Sequence, residues 1–295
     1  MSITLLAVVI ALVLGHVAPA MVASLRRFTW YRQWLQWLDV RFAEGSAWRS
    51  RYGIALALVP PLLLVLLVQW ALATPLLGVP ALLFAIVVLV YAWGPRDLDL
   101  DVEAIIDAPD AAARGEAVSH LGIEPATADA TALVDAVFGS ALQRWFGVLF
   151  WFLVLGPFGA MLYRLSALSA QGQSARLLPE STLVGARGLH AVLQWPVAQL
   201  MTFGMALVGN FDAVFNAWRA SGGASLQLEA SFLGAAGRAS VKSELAEEAE
   251  EYAEEDMVQA LRELPELRDA MSLVWRILLL WLAVLALFVI AGWVS

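Results

Sequence analysis

Tyr163 and Arg164 close an apolar run, Phe146–Arg164 (FGVLFWFLVLGPFGAMLYR), that is broken by Gly156, Pro157 and Gly159. Arginine is a permanent cation whose planar fork can clamp a phosphate or carboxylate through two parallel hydrogen bonds. Proline frees a helix carbonyl and glycine strips away side-chain cover, so the run exposes backbone polarity in otherwise apolar surroundings. Two readings follow. One is a polar cavity for an anionic ligand, closed by Tyr163 and Arg164. The other is a packing kink: Gly156 and Ala160 have the small-xxx-small spacing of close helix approach, and Arg164 snorkels to the headgroups. Further along, His190 opens a stretch that carries Trp195 and Pro196, and Asp212, Asn216 and Arg219 follow Gly209 at helical spacing on one face. These positions complete the candidate ligand-binding set.

Other chemistries find weaker footing. The chain has no cysteine, which excludes disulfides, thiolate nucleophiles and cysteine-ligated metals. Glu116 and His120 share a helix face at i, i+4, but no second pair stands beside them, so a surface hydrogen-bonded pair is expected rather than a metal site. The acids of 244–256 lack the spacing of a calcium loop and read as a solvated helix face. His16 lies in an apolar run, where an intramembrane histidine is a functional hypothesis, but Pro19 could place it at an interface. No Ser/His/Asp set, phosphate-binding glycine loop or pair of membrane acids is visible. No catalytic residue, metal or cofactor is therefore expected.

The elements that position these residues are membrane helices. Of 295 residues 61% are hydrophobic and only 15% charged, against about 45–50% and ~25% in soluble domains. Mean hydropathy is +0.73. The expected fold is all-α: a single, polytopic integral membrane domain over 1–295. Four spans are expected at 54–73, 76–93, 145–165 and 273–294, with a further membrane helix at Ile3–Ala23. Leu25–Tyr52 interleaves arginines with tryptophans, which suits a helix in the headgroup layer far better than a nucleic-acid surface, so a lipid bilayer is the expected partner and nucleic acid is not. Gln69, alone among apolar residues, is expected to bond a neighbouring helix. Residues 94–144 read as a polar helical loop, with a helix cap at Asp129 or Thr131. Residues 166–272 read as a second extramembrane segment: a loop over 168–189, amphipathic helices over 190–219, an irregular stretch over 221–242 with a short helix near Leu228–Leu233, and an acidic helix over 243–264. A full crossing by 190–219 is the alternative; Gln194, Gln199, Asn210 and Pro196 weigh against it. Arginines in 25–52 place that segment in the cytoplasm, and parity then places 94–144 there too. Small-residue faces allow a homo-oligomer.

FGVLFWFLVLGPFGAMLYRL, then LHAVLQWPVAQLMTFGMALVGNF, together with GPRDLDLDVEAI, resemble the AmpE family of bacterial inner-membrane proteins. The resemblance covers most of the chain and weakens over 221–270. It implies a multi-pass inner-membrane protein that modulates β-lactamase induction, with a functional link to an AmpD-type amidase of cell-wall muropeptides. More distantly, the chain is similar to the adenosylcobinamide-phosphate synthases (CbiB/CobD), which share the pattern met here by Gly156, Pro157, Gly159, Ala160, Tyr163 and Arg164, then Trp195, Pro196 and Leu200. The synthases' acid-bearing stretches correspond here to GSALQRWFG and LSALSAQ, which contain no acids. That implies a retained pocket without amide-forming activity. A membrane-embedded transferase or ligase, and a transporter of an anionic amphiphile, are the alternatives.

Overall fold

The computed structural model describes residues 6–12, 28–43, 46–72, 78–94, 97–225, 228–254 and 264–291. Every regular element among them is helical. Residues 6–12 are helical; the rest of the expected N-terminal membrane helix, His16 included, lies outside the described residues. The chain groups into two compact units.

The first unit contains residues 1–95, 143–194 and 288–295. Its helices are α1 (Thr29–Arg41), α2 (Ile54–Ala71) and α3 (Gly78–Ala92). Of the expected 76–93 span the described helix covers Gly78–Ala92, 15 residues, and 76–77 lie outside the described residues. Pro60 and Pro61 sit inside α2. Pro61 removes the donor that would meet the Ala57 carbonyl, and the Trp34 indole N–H of α1 donates there instead, at 3.1 Å. The basic–aromatic segment is thereby fixed to the first span.

The second unit contains residues 96–142 and 195–287. It holds α4 (Leu98–Ile106), α5 (Ala111–Ser119) and α6 (Ala130–Ala141). A π-turn over Leu142–Phe146 leads from α6 into α7 (Gly147–Leu155) of the first unit, without a break. Asp97, Asp110 and Asp129 each cap the helix that follows, accepting from a backbone N–H. Two further acids of the Gly94 motif are also structural. Asp99 accepts the Trp275 indole N–H at 2.9 Å, and the fully buried Asp101 lies 4.0 Å from His120. Among the described residues no group of three or more potential ligands could hold a metal.

Four expectations are corrected. The run 146–164 does not cross as one kinked helix. It turns back at Gly156, and α8 (Pro157–Ala170) packs against α7. Residues 168–189 are mostly helical, through α8, the short α9 (Gly172–Ala175) and the start of α10 (Glu180–Val208). The last of these is a single helix of 29 residues, long and apolar enough to cross a membrane, and Pro196 lies inside it rather than starting it. Two of the polar residues that weighed against a crossing are satisfied within the protein. Gln199 donates to the Gly223 carbonyl and accepts from Trp218. Asn210 caps α11 (Phe211–Ala220) and donates to Glu247. The small-residue stretch is irregular only in its first half: 221–225 and 228–230 are turns and coil, and α12 (Ser231–Glu254) begins after them, because Gly234 and Gly237 let it close on Asp135 and Phe138 of α6. Last comes α13 (Pro265–Ile290). Among the described residues four helices are long and apolar enough to span a membrane: α2, residues 130–155, α10 and residues 265–288.

Candidate functional site

The turn at Gly156 builds the site in the first unit. Gly156 has φ +68° and ψ −153°, a conformation essentially closed to other residues. Pro157 occupies the first position of α8, where a missing N–H costs nothing. The Gly159 N–H bonds back to Gly156 O, so it cannot serve the Leu155 carbonyl. Gln69 of α2 supplies what the turn lacks: its amide N–H donates to Leu155 O at 3.2 Å, and its carbonyl accepts from Phe158 N at 2.9 Å. The expected role of Gln69 as a helix-bonding residue is met. Gln69 thus covers these two freed backbone groups of the turn.

Because α7 and α8 are antiparallel, residues far apart in sequence touch. A Cβ at Gly159 would collide with the Trp151 carbonyl, and one at Gly147 with the Tyr163 ring. The fully buried Tyr163 fills the space that Gly147 leaves. On its other side lies His190 of α10, with ring centroids 5.3 Å apart. Ser166, one turn on from Tyr163, donates to the Tyr163 carbonyl at 2.7 Å and lies 3.2 Å from His190 Nδ1. Since serine has one proton, its oxygen accepts from Nδ1–H, which leaves Nε2 of the neutral ring as an acceptor. That atom is buried and has no hydrogen-bond partner in the protein. Arg164 is 6% exposed. Its guanidinium stands 5.6 Å from the centre of the Phe28 ring, a cation–π arrangement, and its charge acts on Tyr163 and on His190. At the far end of α8, Ser169 and the buried Tyr31 of α1 share a hydrogen bond of 2.6 Å. Burial pushes the Tyr31 phenol well above its ordinary range, so it stays a neutral hydrogen-bonding group.

Tyr163, Arg164 and His190 therefore come together, with Ser166 as a member that the sequence reading missed. Its signal was the i, i+3 spacing from Tyr163 on an α8 face that continues past the apolar run. Gly156, Pro157 and Gly159 shape the turn and do not join the cluster's polar contacts. Protein families, curated proteins and solved structures give no match to this chain. The remaining candidates belong to the second unit. Trp195 carries an indole N–H that is buried without a hydrogen-bond partner, Pro196 is interior to α10, and Asp212, Asn216 and Arg219 lie exposed on α11. On the adjacent face of α11, about 100° round the helix, Phe211 stacks on Phe215, with Trp218 beside it. That division is what an interfacial amphipathic helix needs.

A polar cavity of about 500 Å³ in the second unit is lined by Val208–Asn210, Glu244, Glu247, Glu248 and Arg276. Arg276 donates to Glu244 at 2.5 Å and to the Val208 carbonyl at 3.3 Å. Inside an apolar helix such a charge is affordable only when paired, so this pair first reads as structural.

Proposed function

We propose that this chain is a regulatory binding protein of the bacterial inner membrane. It modulates β-lactamase induction in functional connection with an AmpD-type amidase, and it recognises an anionic small molecule or lipid through the Tyr163–Arg164–His190 cluster. One observation carries the reading: a buried cation stands beside a buried histidine whose Nε2 has no partner in the protein. Ionisable groups at membrane depth are costly and mark functional positions by default. A hydroxyl or protonated oxygen of such an anion donates to His190 Nε2, and Arg164 supplies the positive charge beside it. The AmpE resemblance supports the biological context, and the acid-free stretches GSALQRWFG and LSALSAQ favour binding over amide formation.

The test is a deletion strain complemented with wild type, Arg164→Gln or His190→Phe, each quantified in the membrane fraction. The expected result is altered β-lactamase induction on deletion, restored by wild type and not by either variant at equal abundance. Unchanged induction and unchanged muropeptide pools in the deletion strain would overturn the regulatory reading. Full restoration by both variants would remove the cluster from it.

A further inference from the structure

Helix α1 carries two stripes. Tyr31, Leu35 and Leu38 are buried in the first unit. On another face Trp30, Gln33, Trp34 and Trp37 line a groove of about 750 Å³, within the ~300–1,000 Å³ range of ligand sites. Pro60, Pro61 and Leu64 of α2 form the opposite wall, and Met161 of α8 lines it too. The indole N–H groups of Trp30 and Trp34 are consumed elsewhere, on Tyr91 OH at 2.6 Å and Ala57 O at 3.1 Å. The groove therefore meets its occupant almost entirely with hydrocarbon and ring surface.

We propose that this groove binds one acyl chain of an anionic phospholipid whose phosphate is held by Arg41. Water and polar ligands are poorly served by such walls. Leu64 is 67% exposed, and Val59, Leu63 and Leu67 beside it on α2 are also exposed, so the groove opens on the face that meets bilayer hydrocarbon. Its α2 wall lies 6–10 residues past Ile54, roughly 9–15 Å along the helix. That is the reach of the upper part of an acyl chain below its headgroup. Charge supplies the headgroup preference. Arg41 lies four residues beyond Trp37, on the stripe of Trp30, Trp34 and Trp37, in the last turn of α1, and it is exposed. The nearby acid of α1, Asp39, is engaged by Trp48 and Arg49. Every phospholipid offers a phosphodiester to such a fork, and the anionic one is preferred because no outer ammonium offsets its charge or repels Arg41. The site is separate from the Arg164 cluster and stands whether or not the regulatory reading holds.

The test uses the full chain in bilayers of phosphatidylcholine doped with photoactivatable phosphatidylglycerol, or with photoactivatable phosphatidylcholine, each with a diazirine in the acyl chain. Adducts are mapped by mass spectrometry. The expected result is phosphatidylglycerol labelling concentrated in peptides 28–41 and 54–71. Arg41→Gln should weaken it about fivefold, the worth of one basic side chain at a membrane surface. Leu64→Trp should block the groove for both lipids without touching the core. Equal labelling by the two lipids, or phosphatidylglycerol labelling unchanged by both variants, would overturn the proposal. So would Leu64→Trp lowering the oligomeric mass while leaving labelling intact, because a second copy of the chain would then be the occupant.

Discussion

Replacing Gln69 with methionine keeps the length and bulk of the side chain and removes its amide. Two hydrogen bonds disappear, to Leu155 O and from Phe158 N. Neither backbone group has a helical substitute, since Leu155 ends α7, Phe158 lies in the first turn of α8, and the Gly159 N–H is spent on Gly156 O. Side-chain hydrogen bonds between membrane helices average about 0.6 kcal/mol and reach about 1.7, so the pair is worth about 1–3 kcal/mol. The upper half is expected, because the fixed turn at Gly156 prevents the orphaned groups from finding new partners. The assay is reversible unfolding of the purified chain in bicelles, with Gln69→Ala as a control that adds lost packing. Gln69→Met within about 0.5 kcal/mol of wild type, the range of an inconsequential surface change, would refute the claim that Gln69 caps the turn.

Arg276→Met should destabilise the protein by about 1 kcal/mol, since the pair with Glu244 is partly exposed, and adding Glu244→Leu should recover much of that loss in thermal unfolding; simple additivity would contradict the pairing. Trp34→Phe should cost about 0.6–1.7 kcal/mol in the wild type and close to nothing in a Pro61→Ala background, where a restored N–H serves the Ala57 carbonyl; equal costs in both backgrounds would contradict the proline argument. Gly237→Leu should overpack against Phe138 and cost about 1–3 kcal/mol, read as earlier proteolysis of α12; unchanged proteolysis would contradict the close contact of α12 with α6.

Composition and run length made the all-α membrane fold legible, because covering backbone polarity in hydrocarbon leaves few alternatives. Local chemistry was legible as well: Asp129 caps α6, and Gln69 bonds a neighbouring helix. What sequence could not convey was direction. A Gly-Pro break is compatible with a kinked crossing or with a reversal, and the choice rests on contacts many residues away, Gly147 with Tyr163 and Gln69 with the turn. The same holds for α10. Counted alone, Gln199 and Asn210 oppose a crossing, yet Trp218, Gly223 and Glu247 satisfy them. Small residues over 231–240 suggest irregular chain until Asp135 and Phe138 arrive to pack on them. For the site, Tyr163 and Arg164 were visible as polar residues closing an apolar run, whereas Ser166 reads as an ordinary helix residue until the reversal brings α8 beside His190.

The reversal at Gly156 underlies the whole cluster, and a stability cycle between Gly147 and Tyr163 tests it most directly. Gly147→Val should collide with the Tyr163 ring, and Tyr163→Ala should leave a cavity where Gly147 gives no cover. If the two positions touch, the double variant should be more stable than the sum of the singles by about 1–3 kcal/mol. In an unbroken helix these positions would stand about 24 Å apart, and the two effects would add to within about 0.5 kcal/mol. That additivity would contradict the hairpin and, with it, the site.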